Sequence, residues 1–399
     1  MDTHYTEWLH LSIRWLHMIT GVAWIGTSFY FNWLNHSVRQ PAPPIDGIAG
    51  QLFSVHGGAF YEVRKYQGAP ARLPETLHWF KWEAYFTWIT GFSLLAVVYY
   101  LNPRIYLIDP EVAALTPAQG IGISLLTLGG GWIVYDLLCK FLPKRPVLLA
   151  TLGFTLVTLV SYGLTHTFGS RAAYIHIGAM LGTMMAANVF FVIIPGQRQM
   201  VDALVAGEAP DESKGKDGSL RSLHNNYLTL PVLFIMISNH FPMTYGHQAN
   251  WAVLAGISLV GATARHYFNI KHQGRHNQWV LPAAALGMIA LAFVTHPPTP
   301  EAATGPAVSF ANAHSVLEKR CLPCHSKTPT FPGVQVPPLG IKYDTPEQIQ
   351  ALSAKIQKVA VNSETMPLAN ATNMTPEERQ LLGQWIAQGA LIPSTDNTP

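Results

Sequence analysis

The chain has 399 residues, of which 49% are hydrophobic and only 12% charged, with 11 Trp, 15 Tyr and 18 Phe. Soluble domains carry about a quarter charged residues, so half that share argues against an ordinary soluble protein and for a membrane protein with its charge gathered in loops. A net charge of +3 is too small to imply nucleic-acid binding, and three cysteines make no disulfide framework.

The opening residues, Met1 to Glu7, carry no basic n-region and no small-residue cleavage site, which speaks against a cleaved signal peptide. Eight apolar stretches then follow, at residues 8–34, 79–101, 118–140, 147–168, 171–195, 226–246, 249–269 and 278–296. Each is long enough to cross about 30 Å of hydrocarbon. Basic residues sort by side: Arg39, Arg64, Lys65, Arg72 and Lys81 follow span one, and Lys144 and Arg145 follow span three. Arg198, Lys214, Lys216 and Arg221 follow span five, and Lys271 and Arg275 follow span seven, whereas the opposite loops hold only Arg104 and Arg171. The positive-inside rule therefore places both termini outside.

Residues 35–78, with Pro41-Ala-Pro-Pro44 and Gly57-Gly58, read as a loop covering the cytoplasmic face. Residues 207–222 read as a solvated, mobile linker, and the Pro-rich run 297–306 as a semi-rigid tether. The expected architecture is all-α. An eight-helix transmembrane bundle (1–296) is followed by the tether (297–306) and a small C-terminal domain (307–393).

Ionisable groups inside spans are costly and usually functional. His10, Arg14, His17, Gly21, Trp24 and Ser28 recur at steps of four and three, so they share one face of the first helix. Leu11, Trp15, Met18, Val22, Ile25 and Phe29 make the opposite, apolar face. In span five His176, Thr183 and Ala187 form a similar stripe with Asn188 beside it; Glu83, Thr87 and Thr90 lie in span two, and Ser258, Ala262 and Arg265 in span seven. At about 1.5 Å per residue His17 lies about 13 Å, and His176 about 7 Å, from the outer ends of their spans. Blander roles exist. His10, His166 and His240 sit near interfaces where histidines are commonly hydrated. Arg265 and His266 suit snorkelling to the inner surface, and Asp136 suits an ion pair. Arg14, His17 and His176 are the candidate catalytic residues. His17 and His176 suit two roles that the sequence leaves open, ligation of a membrane haem b or proton acceptance in a substrate pocket.

Near the far end stands Cys321-Leu-Pro-Cys324-His325. C-x-x-C-H is the c-type haem attachment signature: two thiols add to the vinyl groups and the histidine binds iron. A zinc site would need a second cysteine pair, and only Cys139 remains. The second axial ligand falls to Met366 or Met374, the only methionines after the motif. Met366-Pro367 resembles the axial Met-Pro of small bacterial class I cytochromes c. Met374 instead precedes Thr375-Pro376-Glu377-Glu378, a helix start with a capping threonine, Pro at the first position and acids in the first turn. Haem c attaches outside the bacterial cytoplasm, in agreement with the orientation from the loops.

Trp15-Leu-His17-Met-Ile-Thr-Gly21-Val-Ala-Trp24-Ile-Gly26, His176-Ile-Gly-Ala-Met-Leu-Gly-Thr-Met-Met-Ala-Ala-Asn188 and the terminal C-x-x-C-H run together resemble the bacterial membrane-bound urate oxidases (urate hydroxylases) with a C-terminal cytochrome c domain. The resemblance covers essentially the whole chain. It implies oxidation of urate to 5-hydroxyisourate in purine breakdown at the bacterial inner membrane. The cytochrome c domain is then periplasmic, and electrons pass through haem c to a downstream cytochrome c or terminal oxidase. Arg14 would meet the urate anion and His17 or His176 would take a proton. Urate loses two electrons and one haem accepts one, which motivates the haem b. Two other readings share the same polar stripes: a quinol-oxidising respiratory subunit feeding cytochrome c, and a non-catalytic membrane anchor for an electron-transfer module.

Overall fold

The computed structural model describes residues 3–70, 72–272, 277–296 and 306–393. Arg275 and the tether, except Pro306, lie outside the described residues. The fold is mostly helical. Its N-terminal part contains α1 (Thr3–Ser37), α2 (Trp82–Leu95, continued by a π-helical turn Ala96–Tyr100), α3 (Pro103–Tyr106), α4 (Pro117–Phe141) and α5 (Pro146–Thr165). Next come α6 (Ser170–Ala187), a π-helical segment Asn188–Ile193, α7 (Ile194–Val205), α8 (Glu212–Ser238), α9 (Pro242–Tyr245), α10 (Asn250–His272) and α11 (Val280–Val294). Among the described residues three helical stretches, Pro117–Phe141, Pro146–Thr165 and Ser170–Val205, are long and apolar enough to cross a membrane, and α11 is a shorter apolar helix.

Local chemistry accounts for several boundaries. Thr116 and Gln119 form a capping box at the start of α4, with Pro117 at its first position. The two faces expected of α1 are present. Leu11, Trp15, Met18 and Val22 are more than half exposed, while His17 and Gly21 turn toward α2. The core gathers around Tyr99, Leu107, Phe168, Tyr174, Ile177, Met180 and Ile235. Gly178 lets α6 and α8 approach closely: a Cβ there would lie 2.5 Å from Ile235 Cγ2.

Two expectations fail. The all-α reading misses an antiparallel hairpin, β1 (Ile48–His56) and β2 (Ala59–Tyr66), in the segment taken for a loop. Gly57 and Gly58 both have positive φ, +59° and +79°, which is the backbone a two-residue hairpin turn demands. The mobile linker at 207–222 is also largely absent. Asp211 caps α8 by accepting from the Ser213 amide, and residues 212–222 are its first turns. Helix propensity and the cap outweigh the charged composition because Arg221, near the end of that stretch, is buried against α4 and α6.

The C-terminal part contains α12 (Phe310–Arg320), α13 (Pro346–Ala351), α14 (Ser353–Ile356) and α15 (Pro376–Ala387). α12 is capped by Ser309, and α15 by a Thr375–Glu378 capping box. Ala313, Leu317, Ile349, Ile356, Met374, Leu382 and Trp385 form its own core. This part touches the N-terminal helical part: α3 meets residues 368–370, and Asn370 Nδ2 donates to Glu111 Oε1 at 2.5 Å.

Candidate functional site

α1 and α6 both pack on α2, and this brings the predicted polar residues toward one another. His17 Nδ1 lies 3.1 Å from both the Thr87 carbonyl oxygen and Thr90 Oγ1. A proton on Nδ1 donated to the carbonyl leaves Nε2 as a lone pair. The imidazole rests on Gly91, where an added Cβ would lie 3.0 Å from its Cε1, so only glycine there admits the ring without displacing it. Arg14, one turn outward on the same face, donates to His10 Nε2 at 3.2 Å.

His176 is fully buried. Its Nδ1 donates to the Ala172 carbonyl at 2.7 Å, one turn back along α6, which fixes the tautomer and leaves Nε2 as an acceptor. That Nε2 is enclosed and has no partner. The ring meets Tyr99 edge-on at 5.5 Å and Phe168 at 5.0 Å. A buried unsatisfied polar atom in an aromatic cage needs an explanation, and a bound ligand is a direct one. Trp88 Nε1 donates to Thr183 Oγ1 at 3.1 Å, which sets the levels of α2 and α6. With seven residues between Thr183 and His176, the latter stands about five residues, or about 7 Å, outward of the Thr90 level where His17 binds.

Two residues not singled out from the sequence join this cluster. Tyr99 is buried within the π-helical turn that ends α2. π-turns occur frequently at functional sites. Here the widened turn lets consecutive tyrosines engage different neighbours, Tyr99 meeting His176 and Tyr100 sharing a 2.7 Å hydrogen bond with Ser124 Oγ. Arg171 spreads over the Tyr106 ring at 5.7 Å and its buried Nε has no partner. The clue to Arg171 was its rarity, as one of only two basic residues in the outer loops. Neither Arg14 nor Arg171 has a carboxylate within ion-pair distance among the described residues.

The remaining predicted polar residues go elsewhere. Asp136 accepts from Arg221 at 2.6 Å and pairs with Lys140 at 2.7 Å, the structural ion pair anticipated for it. His166 and His240 are exposed, and His166 Nδ1 is 2.7 Å from the Tyr162 carbonyl. Exposed His266 shares a 2.7 Å hydrogen bond with the Tyr227 hydroxyl. Arg265 does not snorkel. It is 6% exposed, donates to Asn226 Oδ1 at 2.7 Å and stacks on Phe29.

In the C-terminal part, Cys321 and Cys324 are free thiols and only partly covered. Burial, helped by the neighbouring Cys324, pushes the Cys321 thiol up to about 12, so it stays protonated instead of forming a metal-ready thiolate. His325 Nδ1 lies 3.2 Å from the Ile341 carbonyl, leaving Nε2 as the lone pair. Burial holds this imidazole below its ordinary value, with the Ile341 bond working the other way, so it is neutral at pH 7. Met366 is half-buried beside the same core, whereas Met374 is 2% exposed and its amide is held by Asn370 Oδ1 at 2.8 Å. Arg379 donates to the carbonyls of Ala360 and Met366, both at 2.7 Å, and its buried Nη2 has no partner. Two thiols, a neutral imidazole, an available thioether and an unsatisfied guanidinium N–H suit a c-type haem and one of its propionates.

No curated protein and no solved structure matches the chain. Residues 3–296, the part that holds His17, Arg14, Arg171 and His176, match the family described as urate oxidase N-terminal. The chain belongs to the urate oxidase N-terminal family.

Proposed function

We propose that this protein oxidises urate to 5-hydroxyisourate from within the bacterial inner membrane. The eight apolar spans of the sequence would form the membrane bundle, and the C-terminal part would be a cytochrome c domain on the periplasmic face. The balanced half-reaction is urate plus water to 5-hydroxyisourate, two protons and two electrons. The observation that carries the reading is His176. An imidazole buried to 0% exposure, with Nδ1 spent on Ala172, offers an unpartnered Nε2 beside the Tyr99 and Phe168 rings.

The chain's own groups then take definite roles. Arg14 and Arg171, without carboxylate partners, supply charge-assisted hydrogen bonds to the urate monoanion. His176 Nε2 accepts one of the released protons, and Phe168 and Tyr99 exclude bulk water from it. Haem c, bound through Cys321, Cys324, His325 and Met366, supplies a one-electron acceptor from which a downstream cytochrome c or terminal oxidase draws. Docking of residues 368–370 on α3 keeps that domain at the end of the bundle where Tyr99, Tyr106 and Arg171 lie.

A second use of the same lone pairs rests on the shared geometry of His17 and His176. Each has its Nδ1 tied to a backbone carbonyl, the arrangement of an imidazole whose Nε2 binds iron. In that reading the two residues would hold a haem b, which would supply a second one-electron store. A reduced-minus-oxidised spectrum of C321A/C324A decides: residual b-type bands require the second haem, and their absence leaves His176 as proton acceptor.

The test of the function is anaerobic addition of urate to oxidised membranes while the haem c α-band is followed. Reduction by urate and not by a quinol analogue is the expected result. Reduction by the quinol analogue alone would make this a respiratory electron carrier, and reduction by neither would leave an electron-transfer module on a membrane anchor.

A further inference from the structure

A second cluster of unsatisfied donors lies on the opposite half of the helical part, among α1, α8 and α10. Arg265 is 6% exposed, yet no carboxylate lies within ion-pair distance of it among the described residues. Its Nε donates to Asn226 Oδ1 at 2.7 Å, and its guanidinium carbon sits 4.1 Å from the centre of the Phe29 ring. Asn226 and Asn269 are each 2% exposed, and the Nδ2 group of each is buried with no hydrogen-bond partner. Asn269, one turn beyond Arg265 on α10, has its Oδ1 taken by Asn32 Nδ2 at 2.8 Å. The side-chain oxygens of Asn226 and Asn269 are therefore both engaged, and these two residues and Arg265 present a positive charge and two free amide donors.

A buried charge is compensated by a partner or it strongly disfavours the fold. Among the described residues Arg265 has only neutral neighbours, which leaves its counter-charge to a group that these residues do not supply. From these contacts we infer that Arg265, Asn226 and Asn269 form an anion-binding site for a small molecule presenting two or more oxygen acceptors, separate from the His176 cluster. The fifteen residues from His17 to Asn32 put it about 22 Å inward along α1. Two sources share the required chemistry: the urate monoanion, which would make this a waiting site on the cytoplasmic side, and the phosphate of an anionic lipid headgroup.

The test is equilibrium dialysis of urate against the full-length protein in nanodiscs, anaerobically, with H176A used so that bound urate is not consumed. Two classes of site are expected. Arg265→Gln removes one class and leaves the other, whereas Arg14→Ala affects only the class that R265Q leaves, so failure of the outer site and failure of this one are told apart. Arg265→Lys, which keeps the charge, retains the class, and Asn269→Leu weakens it about tenfold, the loss of one hydrogen bond to a charged group. If urate binding ignores Arg265, the comparison is repeated with inorganic phosphate and with nanodiscs containing phosphatidylglycerol. Arg265-dependent binding of the lipid then assigns the site to headgroups. Binding of urate, phosphate and phosphatidylglycerol that is all unchanged in R265Q overturns the proposal.

Discussion

Two of the polar clusters in the helical part obey opposite rules. At the inner level of α4, α6 and α8, Asn188 Nδ2 donates to Asn225 Oδ1 at 2.8 Å and to the Tyr135 hydroxyl at 3.1 Å. Tyr135 bonds His224 at 2.8 Å, and Arg221 closes the network on Asp136 and Asn188 while lying over the rings of Trp132 and Tyr135. Nearly every group there has a partner in the chain. Around His176 the opposite holds: His176 Nε2 and Arg171 Nε are buried and unpartnered. A network that satisfies itself fastens helices, and one that does not is waiting for a ligand. The contrast, more than the mere presence of ionisable groups in apolar helices, locates the site.

The comparison can be broken where it is most exposed. Replacing His176 by alanine should lower urate-dependent reduction of haem c by about 100-fold or more, the usual worth of a positioned acid–base group, in a chain that still folds with its unfolding temperature lowered by the cavity the ring leaves. An unfolded variant would show instead that His176 is structural. Replacing Asp136 by alanine should do the reverse. Leaving Arg221 buried without its carboxylate costs on the order of 3 kcal/mol, seen as a lower unfolding temperature, while the protein that remains folded keeps its urate response. Gly91→Ala sharpens the comparison further. The new methyl displaces the His17 ring, so activity should fall about tenfold by misplacement alone, with stability little changed.

Smaller effects are expected in the C-terminal part. Met366→His should lower the haem c reduction potential, because Met/His ligation raises it, and Met374→Leu should leave the potential in place; the opposite pattern would exchange their roles. Glu378 gives a pH dependence. Partial burial opposes its charge, but hydrogen bonds from Arg320 and the Thr375 amide prevail and hold the carboxyl below the usual glutamate range. The folded value is depressed, so the stabilisation is complete above the ordinary glutamate pKa and is lost as pH falls through the folded value. Thermal unfolding of Glu378→Gln, compared with the unchanged chain, should therefore differ at pH 7 and converge under acid conditions. At the domain contact the sign reverses: burial, reinforced by Glu111 and Glu364, pushes the Asp109 carboxyl up. Asp109→Asn should thus stabilise the docked arrangement slightly at neutral pH, detectable as slower proteolysis within 306–393.

Residue pattern alone marked most of the long helices but not the first turns of α8, because apolar periodicity and capping are local and the burial of Arg221 is not. Thr116-Pro117 and Thr375-Pro376 start α4 and α15 as written in the chain, and the spacing of Cys321, Cys324 and His325 states its chemistry without a fold. The shared face of His10, Arg14 and His17 follows from 3.6 residues per turn in the same way. Tertiary structure decided which polar groups are satisfied. Asp136 and Arg221 are 85 residues apart, Arg265 and Asn226 are 39 apart, and Tyr99 reaches His176 from another helix. Periodicity says which face of a helix is polar, but not which helix stands opposite it. Whether a buried histidine is a fastening or a site depends on that neighbour, since burial is costly only for the atom left without a partner.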